Sequence, residues 1–129
     1  MSNPQPELGP TSHDSVTLTD FQRLIRDMYY EKDLGRGVSG TFMWLMEEVG
    51  ELSTALRETS SVDCKLIEPA EMDRRRQNLQ AEFADVLAWL ATIANLVGVD
   101  LNTAIQMKYG SGCPGCEQFI CVCPDGEKP

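Results

Sequence analysis

Long apolar runs are missing from this 129-residue chain. None approaches the ~18 apolar residues of a membrane span, so no spanning helix is expected. The amino terminus, MSNPQPELGPTSHDS, carries neither a basic stretch nor an apolar core; no secretory leader is expected there, and the cytoplasm is the expected compartment. Positive charge is scarce as well. Eleven Lys and Arg against twenty Asp and Glu give a formal charge of −9, which repels phosphate backbones and anionic lipid heads and argues against nucleic-acid or membrane-surface binding as the main activity. Nowhere do apolar and polar residues alternate with period two for long enough to make a strand, so the expected fold class is all-α. Histidine occurs once, as His13, inside a Pro- and Ser-rich segment, residues 1–15, that reads as a disordered N-terminal tail. A histidine there is solvated and is given no role.

What is present suffices for one core. Hydrophobic residues make up 42% of the chain, matching a single compact domain, residues 16–110, followed by a cysteine-rich tail, residues 111–129. A first helix is signalled by Thr17 as N-cap, Asp20 three residues on and Val16 against Phe21, and should run to about Asp33. The next segment, GRGVSG, spells G-x-G-x-x-G from Gly35 to Gly40. That fingerprint belongs after a β-strand, whereas helix precedes it here, so a helix-to-helix connection is the favoured reading over backbone contact with a ligand. A second helix is expected over Thr41–Glu58, with Phe42, Leu45, Val49, Leu52 and Leu56 spaced by three and four. The polar connection from Thr59 to about Arg76 is expected to turn helical only after Pro69, an N1-compatible residue. A third helix takes Asn78–Val97, with Leu79, Phe83, Val86, Leu90, Ala94 and Val97 on one side. Gly98 is placed to stop it, and Asp100 to cap a short last helix, Leu101 to about Tyr109.

Acidic residues fall in a pattern. At ~100° per residue the apolar positions of the second helix span about 80°, with Glu48 and Glu51 together on one flank. On the third helix Glu82 and Asp85 repeat the spacing on the same-handed flank, so in an antiparallel pair the two acidic pairs face each other. Four carboxylates converging beside a core need neutralising charge. Arg74, Arg75 and Arg76 lie in the connection and no cation interrupts either pair, whereas hard oxygen donors in this number suit Mg²⁺ or Mn²⁺. The plainer reading is a set of solvated surface glutamates. Trp44 and Trp89 each stand four residues from an acidic residue, Glu48 and Asp85, at what would be the same end of the pair. There they either stack a nucleobase or pack against another helix.

The pattern EEVGE, Glu47 to Glu51, followed by EFAD, Glu82 to Asp85, resembles the EExxE…ExxD signature of the MazG-like, all-α nucleoside triphosphate pyrophosphohydrolases, a superfamily that includes dimeric dUTP pyrophosphatases, dCTP pyrophosphatases and phosphoribosyl-ATP pyrophosphohydrolase. The likeness continues through DVLAWLATIANLVGVDLNTAIQMKYG and covers roughly residues 17–110. The motifs stand farther apart than in the family, which marks the Ser-rich connection as an insertion. The resemblance implies a helical bundle completed by oligomerisation, a homodimer or homotetramer, and hydrolysis of a (d)NTP to (d)NMP and pyrophosphate. It implies that Glu48, Glu51, Glu82 and Asp85 hold Mg²⁺ for in-line attack at the α-phosphorus. Glu47 is then either a group that orients or deprotonates the water or an exposed charge. Lys108, in MKYG, matches a family position that meets phosphates, with a surface lysine as the alternative. Asn95 is a fainter substrate-binding candidate. Gly50 either permits close backbone approach at a subunit interface or is a tolerated surface glycine.

The tail CPGCEQFICVC holds Cys113, Cys116, Cys121 and Cys123 as C-x-x-C and C-x-C. Four thiolates so close suit tetrahedral Zn²⁺ in a structural role, against free thiols or disulfides. Cys64 lies apart and is read as a bystander. A second function remains open: a non-catalytic helical partner-binding module with a structural zinc tail.

Overall fold

The computed structural model describes residues 15–60 and 66–124; His13 and Cys64 lie outside them, as does nearly all of the expected N-terminal tail. The described residues form α1 (Leu18–Ser60), α2 (Pro69–Val97) and α3 (Leu101–Tyr109), with no strand among them, as expected of an all-α chain. None of these helices alone is long and apolar enough to cross a membrane.

Thr17 caps α1: its Oγ1 accepts the Asp20 N–H at 3.1 Å and its carbonyl accepts the Phe21 N–H at 2.9 Å, satisfying donors that a first turn leaves open. The expected stop near Asp33 is absent. Helical backbone continues through the glycine-rich segment with one interruption, Gly37, at φ 78° and ψ 174°, a conformation that in practice only glycine adopts. Two helices are therefore joined at a single residue, where the sequence suggested a loop of six. The Thr41 hydroxyl donates to the Gly37 carbonyl at 2.7 Å and covers an acceptor that the break exposes.

α2 starts at Pro69 rather than Asn78. Proline suits the first turn, and Glu71 then pairs with Arg74 at 2.5 Å and with Arg75 at 3.3 Å, one turn apart on the same face. Arg75 also donates from Nη1 to the Glu58 carbonyl at 3.0 Å, placing a cation at the carboxyl end of α1, where the helix dipole favours it. Of the basic cluster read as part of a connection, Arg75 thus bridges the two helices. At the other end Gly98 takes φ 73° and closes α2. Asp100 caps α3 by accepting the Thr103 N–H at 2.7 Å, a bond that also lowers the Asp100 carboxyl below its ordinary value.

Rising residue numbers on α1 meet falling numbers on α2: Gln22 bonds Asn95, Trp44 stacks on Trp89 and Glu58 accepts from Arg75. The pair is antiparallel. Its buried face is built mostly of small side chains, Thr41 and Ala55 on α1 and Ala91 and Ala94 on α2, with Ile25 and Leu45. Small residues let the helix axes approach closely. Much of the apolar stripe expected to form the core points elsewhere, since Phe42, Val49 and Leu56 on α1 and Phe83, Leu90 and Val97 on α2 are all more than 40% exposed. Each helix carries two faces, one satisfied within the chain and a second, bulkier one left open.

Candidate metal centre and adjoining groove

The antiparallel pairing brings Glu48 of α1 and Glu82 of α2 to the inner face, half-buried where a hydrophobic residue would ordinarily pack. Glu51, one turn on from Glu48, reaches the same place from a more exposed position. One carboxylate oxygen from each of the three lies within 4.8 Å of the others. The Oε2 atoms of Glu48 and Glu82 are buried and have no hydrogen-bond partner, and among the described residues no Lys or Arg forms an ion pair with them. Burial raises the Glu48 carboxyl above its ordinary value, with the charges of Glu51 and Asp85 adding to the effect; the Trp89 indole N–H works against it. Burial likewise raises Glu82, followed by the charges of Glu51 and Asp85. Asp85 is exposed and stands outside the close trio, yet near enough to act on both buried members.

Such an arrangement stores repulsion unless something positive enters it. The donor set is all carboxylate oxygen, gathered within 4.8 Å, and two of its members each carry an orphaned buried oxygen, which fits a small hard cation such as Mg²⁺ or Mn²⁺. Glu47 is exposed and takes no part in the trio.

Beside the carboxylates lies a groove of about 330 Å³ whose lining includes Tyr29, Lys32, Asp33, Arg36, Asp85 and Trp89. Trp44 and Trp89 meet at its edge, near the acids as their spacing implied, with ring centroids 5.9 Å apart and planes within 9°. At that separation the rings touch one another and nothing is inserted between them. The Arg36 guanidinium lies 4.8 Å over the Trp89 ring, so Trp89 is covered, whereas Trp44 remains 46% exposed. Sequence reasoning overlooked Lys32, Asp33 and Arg36. The signal was the Asp33–Arg36 spacing of one turn directly before Gly37, hidden because the glycine pattern suggested that the helix had already ended.

Two expected site residues are placed apart from this groove. Asn95 works with buried Gln22: it donates to the Gln22 carbonyl at 3.2 Å and accepts from the Gln22 amide at 3.1 Å. Gln22 in turn donates to Val99 O at 2.7 Å and accepts from the Leu101 N–H at 2.9 Å. The pair fastens the start of α3 to α1. Lys108 sits over the Tyr109 ring at 5.5 Å and lines a second groove, shared with Ser111, Cys113 and Glu117, next to the cysteines.

The four tail cysteines come together, with one sulfur of each within 4.8 Å of the others, and no disulfide joins them. The Glu117 N–H donates to Cys113 O at 2.7 Å and the Cys113 N–H to Gln118 O at 2.9 Å, closing a tight turn. Gly112, at φ 101°, passes so near this turn that a Cβ there would meet Gln118 O at 2.7 Å. Backbone N–H groups point at sulfur: Val122 donates to Cys116 Sγ at 3.5 Å and Cys123 to Cys121 Sγ at 3.4 Å. Donation by the Val122 and Gln118 amides draws the Cys116 thiol down to about 6. Its neighbours push Cys123 the other way, to about 12. Four sulfurs gathered within 4.8 Å of one another, with amides supporting the thiolate of Cys116, fit a tetrahedral thiophilic cation and leave no open position on it.

Residues 37–114 match the family model described as the MazG nucleotide pyrophosphohydrolase domain. The matched span opens at the Gly37 break, contains all four carboxylates and ends inside the cysteine turn. No curated protein matches the chain.

Proposed function

This chain belongs to the MazG nucleotide pyrophosphohydrolase domain family, and from that premise we propose that it cleaves a (d)NTP to (d)NMP and pyrophosphate with Mg²⁺, or Mn²⁺, as cofactor. Membership implies a pyrophosphohydrolase-type enzyme and a nucleotide substrate. The observation that carries the finer reading is the pair of orphaned, buried oxygens on Glu48 and Glu82, with Glu51 beside them.

In this reading Glu48, Glu51 and Glu82 hold the cation and Asp85 completes the set from the groove side. When bound, the cation supplies positive charge to the phosphate oxygens and acidifies the attacking water. The protein's own contribution is positional. The α1–α2 interface holds two acids rigidly, Glu47 lies one turn before Glu51 on the exposed side and is assigned to orient or accept a proton from the water, and the exposed surface of Trp44 is offered to the base. Lys108 meets phosphate in this scheme only through assembly, since its groove in the same chain faces the cysteines. Asn95, with both ends of its amide engaged by Gln22, serves the scaffold. The open apolar faces of α1 and α2 are assigned to a second copy of the chain, as a homodimer or homotetramer, and the four cysteines to a structural Zn²⁺.

The test is pyrophosphate release from a panel of dNTPs and NTPs with Mg²⁺. Release from at least one nucleotide, abolished in Glu48→Gln and in Glu82→Gln, is the expected result; no release from any nucleotide sinks the proposal.

A further inference from the structure

We infer that Arg36 is the cation that receives the phosphate oxygens of the substrate in the groove beside the carboxylates. This deepens the pyrophosphohydrolase reading and rests on it for the identity of the anion. A triphosphate approaching a chain of net charge −9, toward a cluster of acids, needs more positive charge than one divalent cation provides. Among the described residues, Lys32 and Arg36 are the only cationic side chains lining the groove.

Arg36 is the one held in place. Its Nη1 donates to Asp33 Oδ1 at 3.0 Å and to Thr41 Oγ1 at 3.4 Å, while its guanidinium plane lies over Trp89. Thr41 is itself fixed by its bond to the Gly37 carbonyl, so the glycine break sets where the arginine stands. Among the described residues Nε and Nη2 make no hydrogen bond. A guanidinium has five N–H donors in a planar fork, and here most of them remain free while the side chain is already immobilised.

The simpler explanation is that Arg36 only neutralises Asp33, whose side chain is 4% exposed. An arginine dedicated to one carboxylate commonly engages both oxygens through its fork. In this pair a single nitrogen meets a single oxygen, and Asp33 Oδ2 is left buried without a partner. The geometry commits one nitrogen, Nη1, to orientation and withholds Nε and Nη2 for a planar, multi-oxygen anion on the groove side, where the Arg36 side chain is 26% exposed. Asp33 and Thr41 are then positioning residues, acting through Arg36.

Two variants test the assignment. Arg36→Lys keeps the charge beside Asp33 but loses the fork, and the double variant Asp33→Asn with Arg36→Gln removes both charges, so neither leaves a buried aspartate uncompensated. The readouts are kcat and KM across the nucleotide panel, and binding of inorganic tripolyphosphate with Mg²⁺ followed by tryptophan fluorescence. Loss of charge-assisted hydrogen bonds predicts a fall of about 10- to 100-fold in kcat/KM, alike for every base, and a comparable weakening of tripolyphosphate binding in both variants. Wild-type KM and tripolyphosphate affinity in Arg36→Lys, or in a double variant with unchanged circular dichroism, overturn the inference. So does a loss confined to nucleotides of one base, which would make Arg36 a reader of that base, or a wild-type chain that does not bind tripolyphosphate. If no nucleotide is hydrolysed, the pyrophosphohydrolase reading fails by itself, and the tripolyphosphate comparison still decides for or against Arg36.

Discussion

Glu48 and Glu82 carry protons more firmly in the folded chain than a carboxyl normally does, because burial and neighbouring acids disfavour their charged forms. The sign of the consequence follows from linkage. A folded-state value raised above the ordinary 4.5 gives a stabilisation that is complete below that pH and is lost as pH rises through the raised value. Metal-free protein should therefore melt at progressively lower temperature as pH is increased from about 4 toward neutrality. The slope should flatten in Glu48→Gln, which separates the site from the general repulsion of an acidic chain. Added Mg²⁺ should raise the melting temperature more near neutral pH than at about pH 4, because protons compete less for the carboxylates there. A wild-type slope in Glu48→Gln would show that these acids are ordinary surface groups. For turnover, Glu82→Gln is expected to lower kcat by about 10²-fold or more, the scale on which loss of one charge-stabilising group acts.

At the scale of elements, α1 depends on Gly37 to change direction without ending. Space around Gly37 is open, so a methyl group would meet no neighbour, and the cost of Gly37→Ala is backbone strain alone. It should destabilise by about 1–3 kcal/mol in urea unfolding. Gly50, also in α1 and also with open space around it, has helical backbone, so Gly50→Ala should stabilise the chain by roughly 0.5–1 kcal/mol. A loss at Gly50 instead would reveal a close backbone approach by another subunit. The same glycine-rich stretch shows why element boundaries were hard to read. Three glycines in six residues weaken helix propensity, but packing against α2 and the Asp33–Arg36–Thr41 contacts outweigh it at Gly35 and Gly40. At the start of α2 the error ran the same way, because a polar surface obscured a helix held by Glu71, Arg74 and Arg75.

For the molecule as a whole, the open apolar faces are the dominant fact. Phe42, Met43 and Met46 on α1 and Phe83, Leu87 and Leu90 on α2 are all at least 40% exposed, more than an isolated chain ordinarily leaves to water. Sedimentation should show a dimer or larger assembly, and Phe83→Glu should shift it toward monomer; a wild-type monomer would refute the assignment of those faces. In the cysteine tail Phe119, Ile120 and Val122 have almost no packing, so the proposed cation would supply the cohesion that a core would otherwise give. Native mass measurement should find one Zn²⁺ per chain, lost on chelation together with the ordered structure of the tail. An unchanged mass after chelation would argue for plain thiols.

Local rules in the sequence determined the helical class, the Thr17 and Asp100 caps, the stop at Gly98, the cysteine cluster and the pairing of Glu48 and Glu51 with Glu82, because spacing along a helix maps directly onto its faces. The tertiary structure alone decided which face of each helix is inside. Close packing through Thr41, Ala55, Ala91 and Ala94 turned the bulky stripe outward and drew two carboxylates into the interface, where burial raised their proton affinity. It alone made Asn95 part of the scaffold through Gln22 and set Arg36 over Trp89 in one wall of a groove. Those contacts join residues far apart in the chain, and their energy depends on the distance between helices, which no periodicity encodes.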